Sequence, residues 1–231
     1  MRLRNIPEAR ETVALSGHVI HLEEAADNAR SPVLESNRGI IGRTFGNDRP
    51  VHIEIGMGKG SFIMGMAERH PEINYVGIER YESVLIRAVQ KMDALEETGS
   101  LPGNVKFICM DASEITKLGN KGDIDRIYLN FSDPWPKARH EDRRLTSGKF
   151  LEKYEKLLKK DGILEFKTDN RDLFEFSLEE IKSAENWSLV SFTYDLHGSL
   201  GPDDENVMTE YEQKFAALGK KINKLTAVLK I

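Results

Sequence analysis

The chain has 231 residues, with 33 Lys+Arg against 38 Asp+Glu, a net charge of −5 and a single cysteine, Cys109. That length allows one large domain or two small ones, the charge balance gives no support for bulk nucleic-acid binding, and the lone thiol excludes an internal disulfide. The six histidines are scattered with no Cys/His group at zinc spacing, so no metal is expected; no apolar run can span a bilayer and MRLRNIPEAR lacks a signal-peptide core, so the expectation is a cytoplasmic protein with no membrane partner.

Residues 1–47 read as an N-terminal extension, polar and partly irregular, carrying Arg2, Arg4, Arg10, Arg30, Arg38 and Arg43. From residue 48 onward the pattern becomes that of an ordered domain. Val51–Ile55 is an apolar strand that runs into glycines and a helical segment, Ser61–Arg69. Asn74–Glu79 is a second strand, ending at an acid. Ser83–Glu97 is a helix, with Val84, Leu85, Ala88, Val89, Met92 and Leu95 recurring on one face. Val105–Met110 is a third strand, in which Cys109 reads as a buried structural thiol, and Ile124–Phe131 is a fourth. The spacing of Phe150, Leu151, Tyr154, Leu157 and Leu158 predicts an amphipathic helix over Lys149–Lys160, stopped by Gly162 before a fifth strand at Ile163–Lys167. Arg171–Ala184 reads as helix, Leu189–Leu196 as strand, Glu210–Leu218 as helix and Ile222–Leu229 as a last strand. Strands alternating with helices imply an α/β fold with a mostly parallel sheet of seven strands and helices on both faces. Ligands on such a sheet bind at the C-terminal ends of the strands.

The first strand runs into Glu54-Ile-Gly56-Met-Gly58-Lys-Gly60. Glycines let the backbone turn sharply and approach a ligand closely. A dinucleotide fingerprint, G-x-G-x-x-G, fails because Ser61 stands at its third glycine; a P-loop fails at both Ile53 and Gly60. The loop fully resembles the E/D-x-G-x-G-x-G loop of class I methyltransferases. In that reading Glu54 holds the charged amino-acid part of S-adenosylmethionine, Gly56, Gly58 and Gly60 form its cradle, and the outward-pointing Lys59 leaves the sulfonium unopposed. Glu79, ending the second strand, can accept from both ribose hydroxyls. Asp111 and Ala112, after the third, lie near the adenine. Each acid taken alone is more often a solvated strand end than a ligand contact; their shared placement after successive strands is harder to reach by chance.

After the fourth strand comes Leu129-Asn130-Phe131-Ser132-Asp133-Pro134-Trp135-Pro136-Lys137, two prolines that fix the backbone around a flat indole. By itself this is a rigid turn. Together with Arg139-His140-Glu141-Asp142-Arg143-Arg144-Leu145, Phe166-Lys167-Thr168-Asp169-Asn170 and Thr209-Glu210-Tyr211-Glu212-Gln213-Lys214-Phe215, it closely resembles the bacterial tRNA (guanine-N7-)-methyltransferase family, over nearly all the chain from Val51. A lengthened Glu97–Gly103 loop and the variable N-terminal segment are the departures.

The resemblance implies a Rossmann-like class I methyltransferase domain over 48–231. It implies methyl transfer from S-adenosylmethionine to N7 of a guanosine at position 46 of the tRNA variable loop, with Lys137, Asp169 and Thr209–Glu212 on the substrate. Asp133 is the catalytic candidate and also a cofactor contact. Guanine N7 carries no proton, so Asp133 acts by charge and orientation on a ring that becomes cationic. Alternatives stay open for several of these: Asp169 as a helix N-cap, Thr209 with Glu212 as a capping box, and Lys137 as a solvated lysine. Residues 137–160 carry nine Lys/Arg against four Asp/Glu, a local +5 in an acidic chain. Arg139, His140, Arg143 and Arg144 are therefore the expected RNA contacts. A small-molecule or protein methyltransferase and a non-catalytic RNA-binding relative are the rival readings, and the expected solution state is a monomer or homodimer.

Overall fold

The sheet has seven strands in the order β3-β2-β1-β4-β5-β7-β6: β1 Val51–Ile55, β2 Asn74–Glu79, β3 Val105–Cys109, β4 Ile124–Asn130, β5 Leu158–Thr168, β6 Trp187–Thr193 and β7 Asn223–Leu229. In this computed structural model residues 6–22, 39–202 and 204–231 are described; Arg2, Arg4, Arg30 and Arg38 lie outside them. Pairing is parallel from β3 through β5, and β7 lies antiparallel between β5 and β6. The chain moves outward from β1 to β3, then returns to lay β4 against the other side of β1. That reversal opens a crevice above the C-terminal ends of β1 and β4.

Alternation along each strand sends side chains to two apolar clusters. Val51, Ile53 and Ile55 of β1 join Ile127 and Leu129 of β4 in one cluster, with α5 (Gly148–Tyr154) and α6 (Arg171–Ser183). The other holds Tyr75 and Tyr128 with α3 (Ser61–Arg69) and α4 (Glu82–Glu97). Burial on both faces accounts for the near-continuous apolar runs of the central strands. The described part of the first 47 residues packs onto this frame. Ala9 and Val13 of α1 (Ala9–Leu15) and Val19 are buried in the second cluster, and Val19 bridges to Phe107 of β3. Ile41 of the short α2 (Ile40–Arg43) enters the first cluster.

Two expected boundaries are corrected. The helix expected over Lys149–Lys160 ends at Tyr154; residues 155–157 turn, and β5 already begins at Leu158. Leu157 and Leu158 continue the helical spacing, but Leu157 gives its carbonyl to the amides of Gly122 and Ile124, and Leu158 pairs with Ile124. Gly162 is no helix stop. It sits in a shift of register between β4 and β5, beside Asp161 at φ 61°. The sixth strand runs Trp187–Thr193, two residues earlier than its apolar pattern suggests, and Leu196 belongs to a one-turn helix, α7 (Leu196–Ser199).

Ile53 lies at the centre of β1 with no exposed surface. Ile53→Ala removes a buried branched side chain that this close-packed layer cannot refill, and should cost about 2–5 kcal/mol. The expected readout is a lower denaturation midpoint with an unchanged slope against denaturant.

Candidate functional site

The glycine loop leaves β1 and crosses to β2, where the amides of Gly56 and Met57 both donate to the Ile78 carbonyl. Met57 then folds over β2 at Gly77, where a Cβ would come within 2.1 Å of its sulfur. Gly56, Gly58 and Gly60 have φ of 79°, 59° and 76°, which disfavours any side chain there. No atom lies within 4 Å of where a Cβ would project from Gly56 or Gly58. The space over these two residues is open to a ligand.

Beneath the loop Glu54 is 1 % exposed. Its Oε1 accepts from Asn130 Nδ2 at 2.9 Å, and its Oε2 has no partner among the described residues. Burial pushes this carboxyl up to about 7 from an ordinary 4.5, against the opposing pull of the Asn130 side chain, Lys167 and the Ile63 backbone amide. A buried acid with one unsatisfied oxygen is a receptor for a cation. Glu79 sits at the end of β2 with its carboxylate turned inward, accepting from the amides of Gly58, Arg80 and Tyr81. Burial raises its pKa, and the negative charge of Asp133 adds to that. Asp111 follows β3 and caps a 3₁₀ turn, Ala112–Lys117, through Ser113 N; Arg80 Nε lies 3.2 Å from its other oxygen. The structure thus gathers Glu54, Glu79, Asp111, Asp133 and Ala112 around the mouths of β1–β4.

The motif after β4 is held in strained backbone. Phe131 and Trp135 have φ of 54° and 41°, a left-handed region that bulky residues rarely occupy. Arg144, whose side chain is only 11 % exposed, fixes the turn by donating to the carbonyls of Pro134 and Trp135. The indole of Trp135 carries the Arg143 guanidinium 4.9 Å from its ring centre and the edge of His140 at 5.8 Å. Lys137 and Arg139 are exposed in the 3₁₀ segment that begins there. Of the four expected RNA contacts, Arg139, His140 and Arg143 therefore reach the surface, whereas Arg144 is internal and shapes the loop.

A cavity of about 490 Å³ lies beside this motif, lined among others by Asp133, Pro134, Asp169, Arg171, Tyr211 and Lys220. Asn170, not Asp169, caps α6, its side chain accepting from Leu173 N. That leaves the Asp169 carboxylate facing the cavity, where Tyr211 Oη lies 3.4 Å from both its oxygens and Lys220 Nζ 3.4 Å from one. The Tyr211 ring packs on Phe131 and Phe215 at centroid distances of 4.9 and 4.2 Å.

The four residues Thr209–Glu212 diverge. Thr209 caps α8 (Glu210–Ala216) by accepting from Glu212 N. Glu210 holds Lys59, Lys91 and Ser61 at 2.9, 3.0 and 2.9 Å, and the Lys59 bond leads the effects that drop its pKa to about 2. Tyr211 faces the cavity. Glu212 is fully buried, accepting from Asn206 at 2.8 Å and paired with Lys167 at 3.3 Å. Burial lowers the pKa of Lys167, with Glu212 opposing. Asn130, Lys167, Asn206 and Lys220 escaped the sequence reading. Asn130 and Lys167 stand inside quoted motifs, yet no spacing rule marks a polar residue that serves another polar residue.

Because its pKa is raised, Glu54 should withdraw stability from the ligand-free protein as pH rises from about 4.5 to about 7, the span in which the unfolded chain has ionised and the folded one has not. Glu54→Gln should match wild type near pH 4.5 and be more stable at pH 8, by roughly 1–3 kcal/mol, while losing stabilisation by S-adenosylmethionine. Melting temperatures across pH test this; a difference that does not change with pH contradicts it.

The chain was compared with known proteins. The family model described as "Putative methyltransferase" matches residues 48–225. The tRNA (guanine-N(7)-)-methyltransferase of Lachnoclostridium phytofermentans is 48 % identical, covering 98 % of each chain, and that of Bacillus subtilis (strain 168) is 47 % identical over 96 % of each. Among solved structures, an antibiotic-related methyltransferase superposes with a TM-score of 0.59 at 18 % identity, covering 87 % of this chain and 97 % of that one. A mutant 16S rRNA (adenine(1408)-N(1))-methyltransferase of Catenulisporales acidiphilia, solved with its cosubstrate, gives 0.58 at 12 % identity over 94 % and 96 %. At such identities these two share the fold alone.

Proposed function

The chain belongs to the tRNA (guanine-N(7)-)-methyltransferase family, and from that premise we propose which of its residues carry the reaction. The enzyme transfers the methyl group of S-adenosylmethionine to N7 of a guanine in tRNA. The site residues, the tRNA position and the cellular setting are the proposed part.

When bound, the cofactor supplies an electrophilic methyl group on a sulfonium. Glu54 receives its amino group, Gly56 and Gly58 give it close approach, Gly60 completes the loop by letting it close onto Ala88 of α4, Glu79 accepts from its ribose, and Asp111 with Ala112 borders its adenine. The single observation that carries this arrangement is the unpartnered, buried Oε2 of Glu54 beneath an open glycine loop. Lys59, the one cation within the glycine loop itself, is drawn outward to Glu210. The acids therefore give the crevice a negative potential that favours a cation.

The guanine occupies the neighbouring cavity, against Tyr211, with Asp169 as an acceptor for its N–H groups. Lys137 reaches O6 or a phosphate. Thr209 and Glu212 act at one remove by fixing the first turn of α8, and Glu210 by holding the glycine loop. Asp133 stands between the two ligand sites. Attack by N7 needs alignment and no general base. As N7 is alkylated the purine gains positive charge, and the Asp133 carboxylate stabilises that charge where it develops. Arg139, His140 and Arg143 present a basic loop to the backbone, while Arg144 keeps that loop in place. The target is position 46 of the variable loop. The protein works in the cytoplasm as a monomer or homodimer, with residues 48–231 as the catalytic domain and 1–47 as its extension.

The test is incubation with labelled S-adenosylmethionine and unmodified tRNA, followed by borohydride–aniline cleavage; scission at position 46 is expected, and labelled tRNA resistant to cleavage contradicts N7 as the acceptor. Asp133→Asn, which keeps the shape and loses the charge, should cut single-turnover rates by about 10²-fold or more. Wild-type rates should be flat across neutral pH. A rate limb near neutrality that vanishes in Asp133→Asn shows proton removal instead.

A further inference from the structure

On the far side of α8 from the guanine cavity lies a second cleft of about 440 Å³, lined by Lys59, Arg87, Gln90, Lys91, Ala94 and Glu210. Three cations surround one carboxylate, so the cleft is positive after Glu210 is counted. Its hydrogen bonds divide the cations into two roles. Lys91 Nζ donates to the Lys59 carbonyl at 3.1 Å, to Ser61 Oγ at 2.7 Å and to Glu210 at 3.0 Å, which saturates its three N–H bonds. Lys91 is a strut. Lys59 gives one bond to Glu210 and Arg87 gives one to Gln90. The remaining donors of these two side chains have no hydrogen-bond partner among the described residues, and both side chains are exposed.

The position is as telling as the charge. Glu210 and Tyr211 are consecutive, so the cleft and the guanine cavity flank the same helical turn. Arg87 lies in the second turn of α4, which starts from the C-terminal end of β2 and hence at the ligand edge of the sheet. A strand with one base in the cavity can lay its backbone across α8.

Resting on the reading of the enzyme as a tRNA methyltransferase, we propose that Lys59 and Arg87 form a second phosphate seat for the tRNA backbone, separate from the basic loop after β4. A guanidinium with open donors in a rigid fork suits a phosphate diester, and the cluster of Lys91, Ser61 and Glu210 holds the seat at a fixed distance from the guanine. The glycine loop then meets the cofactor on its inner side and RNA on its outer side.

The experiment measures tRNA affinity against salt concentration for wild type, Arg87→Ala, Arg87→Glu and Arg69→Glu. Arg69 is an exposed arginine at the end of α3 that faces away from the crevice, and its variant makes the same charge change. Arg87→Ala should bind tRNA about 3–10-fold more weakly and lower the salt slope by about one, with Arg87→Glu weaker still. The melting shift caused by S-adenosylmethionine should remain at the wild-type value in every variant, which also establishes that they fold. Wild-type affinity and slope in Arg87→Glu, or an equal loss in Arg69→Glu, overturns the proposal. Aniline cleavage of tRNA methylated by wild type is read separately: its failure counts against the enzyme assignment, and unchanged Arg87 variants with intact cleavage count against the seat alone.

Discussion

One buried hydrogen bond, from Asn130 Nδ2 to Glu54 Oε1 at 2.9 Å, ties together the two strands whose divergence creates the crevice. It satisfies one oxygen of a carboxylate buried from solvent and leaves the other without a hydrogen-bond partner among the described residues. A dry, half-satisfied acid is a defect in a folded core and costs stability unless it is neutralised or paired. Here the defect sits under an open glycine loop, where the sheet order first reverses between β1 and β4. The fold keeps this unfavourable acid beneath an opening in the loop, and the other acids of the site gather around the same crevice.

One short helix, α8, touches three parts of the site. Glu210 reaches the glycine loop, Tyr211 the cavity beside Asp133 and Glu212 the buried amine of Lys167. A buried ion pair of this kind contributes little net stability compared with an apolar pair of similar volume, but breaking it is costly because one charge is left alone. Its value lies in fixing the rotation of α8, and so the directions in which its first three side chains point. The turn after β4 follows the same logic. Phe131 and Trp135 occupy strained backbone, and Arg144 over-determines that turn from beneath while Arg143 lies on the half-buried indole.

The central frame was legible because parallel strands buried on both faces are written as apolar runs ending at glycines or acids. The strands β1 to β4 and the residues at their mouths follow from that pattern. Where side chains serve tertiary contacts, the pattern misleads. Leu157 and Leu158 keep helical spacing with Tyr154 but belong to a turn and a strand, since strand pairing with Ile124 outweighs a last helical turn. The polar first 47 residues hide Ala9, Val13, Val19 and Ile41, too few and too widely spaced to show a period, yet buried in the core. Within the site, the identity of the acids was readable and their partners were not. Thr209-x-x-Glu212 looks like a complete capping box, but only Thr209 caps; Glu212 turns inward because Lys167 and Asn206, distant in the chain or outside any motif, are waiting there. Arg144 counted as surface charge until its contacts with two carbonyls became visible.

The most direct measurement of the central constraint is the proton balance of cofactor binding at pH 6. A carboxyl with a pKa of about 7 is mostly protonated there, and an amine of ordinary basicity is already charged. Pairing the two must expel the carboxyl proton. Calorimetry of S-adenosylmethionine binding in buffers of different ionisation enthalpy should therefore show release of close to one proton per site at pH 6, falling through zero between the two pKa values and turning to net uptake above pH 8, where the free amine has lost its own proton. Binding at pH 6 with no proton released would contradict the assignment of Glu54 as the buried acid that receives the cofactor's amine.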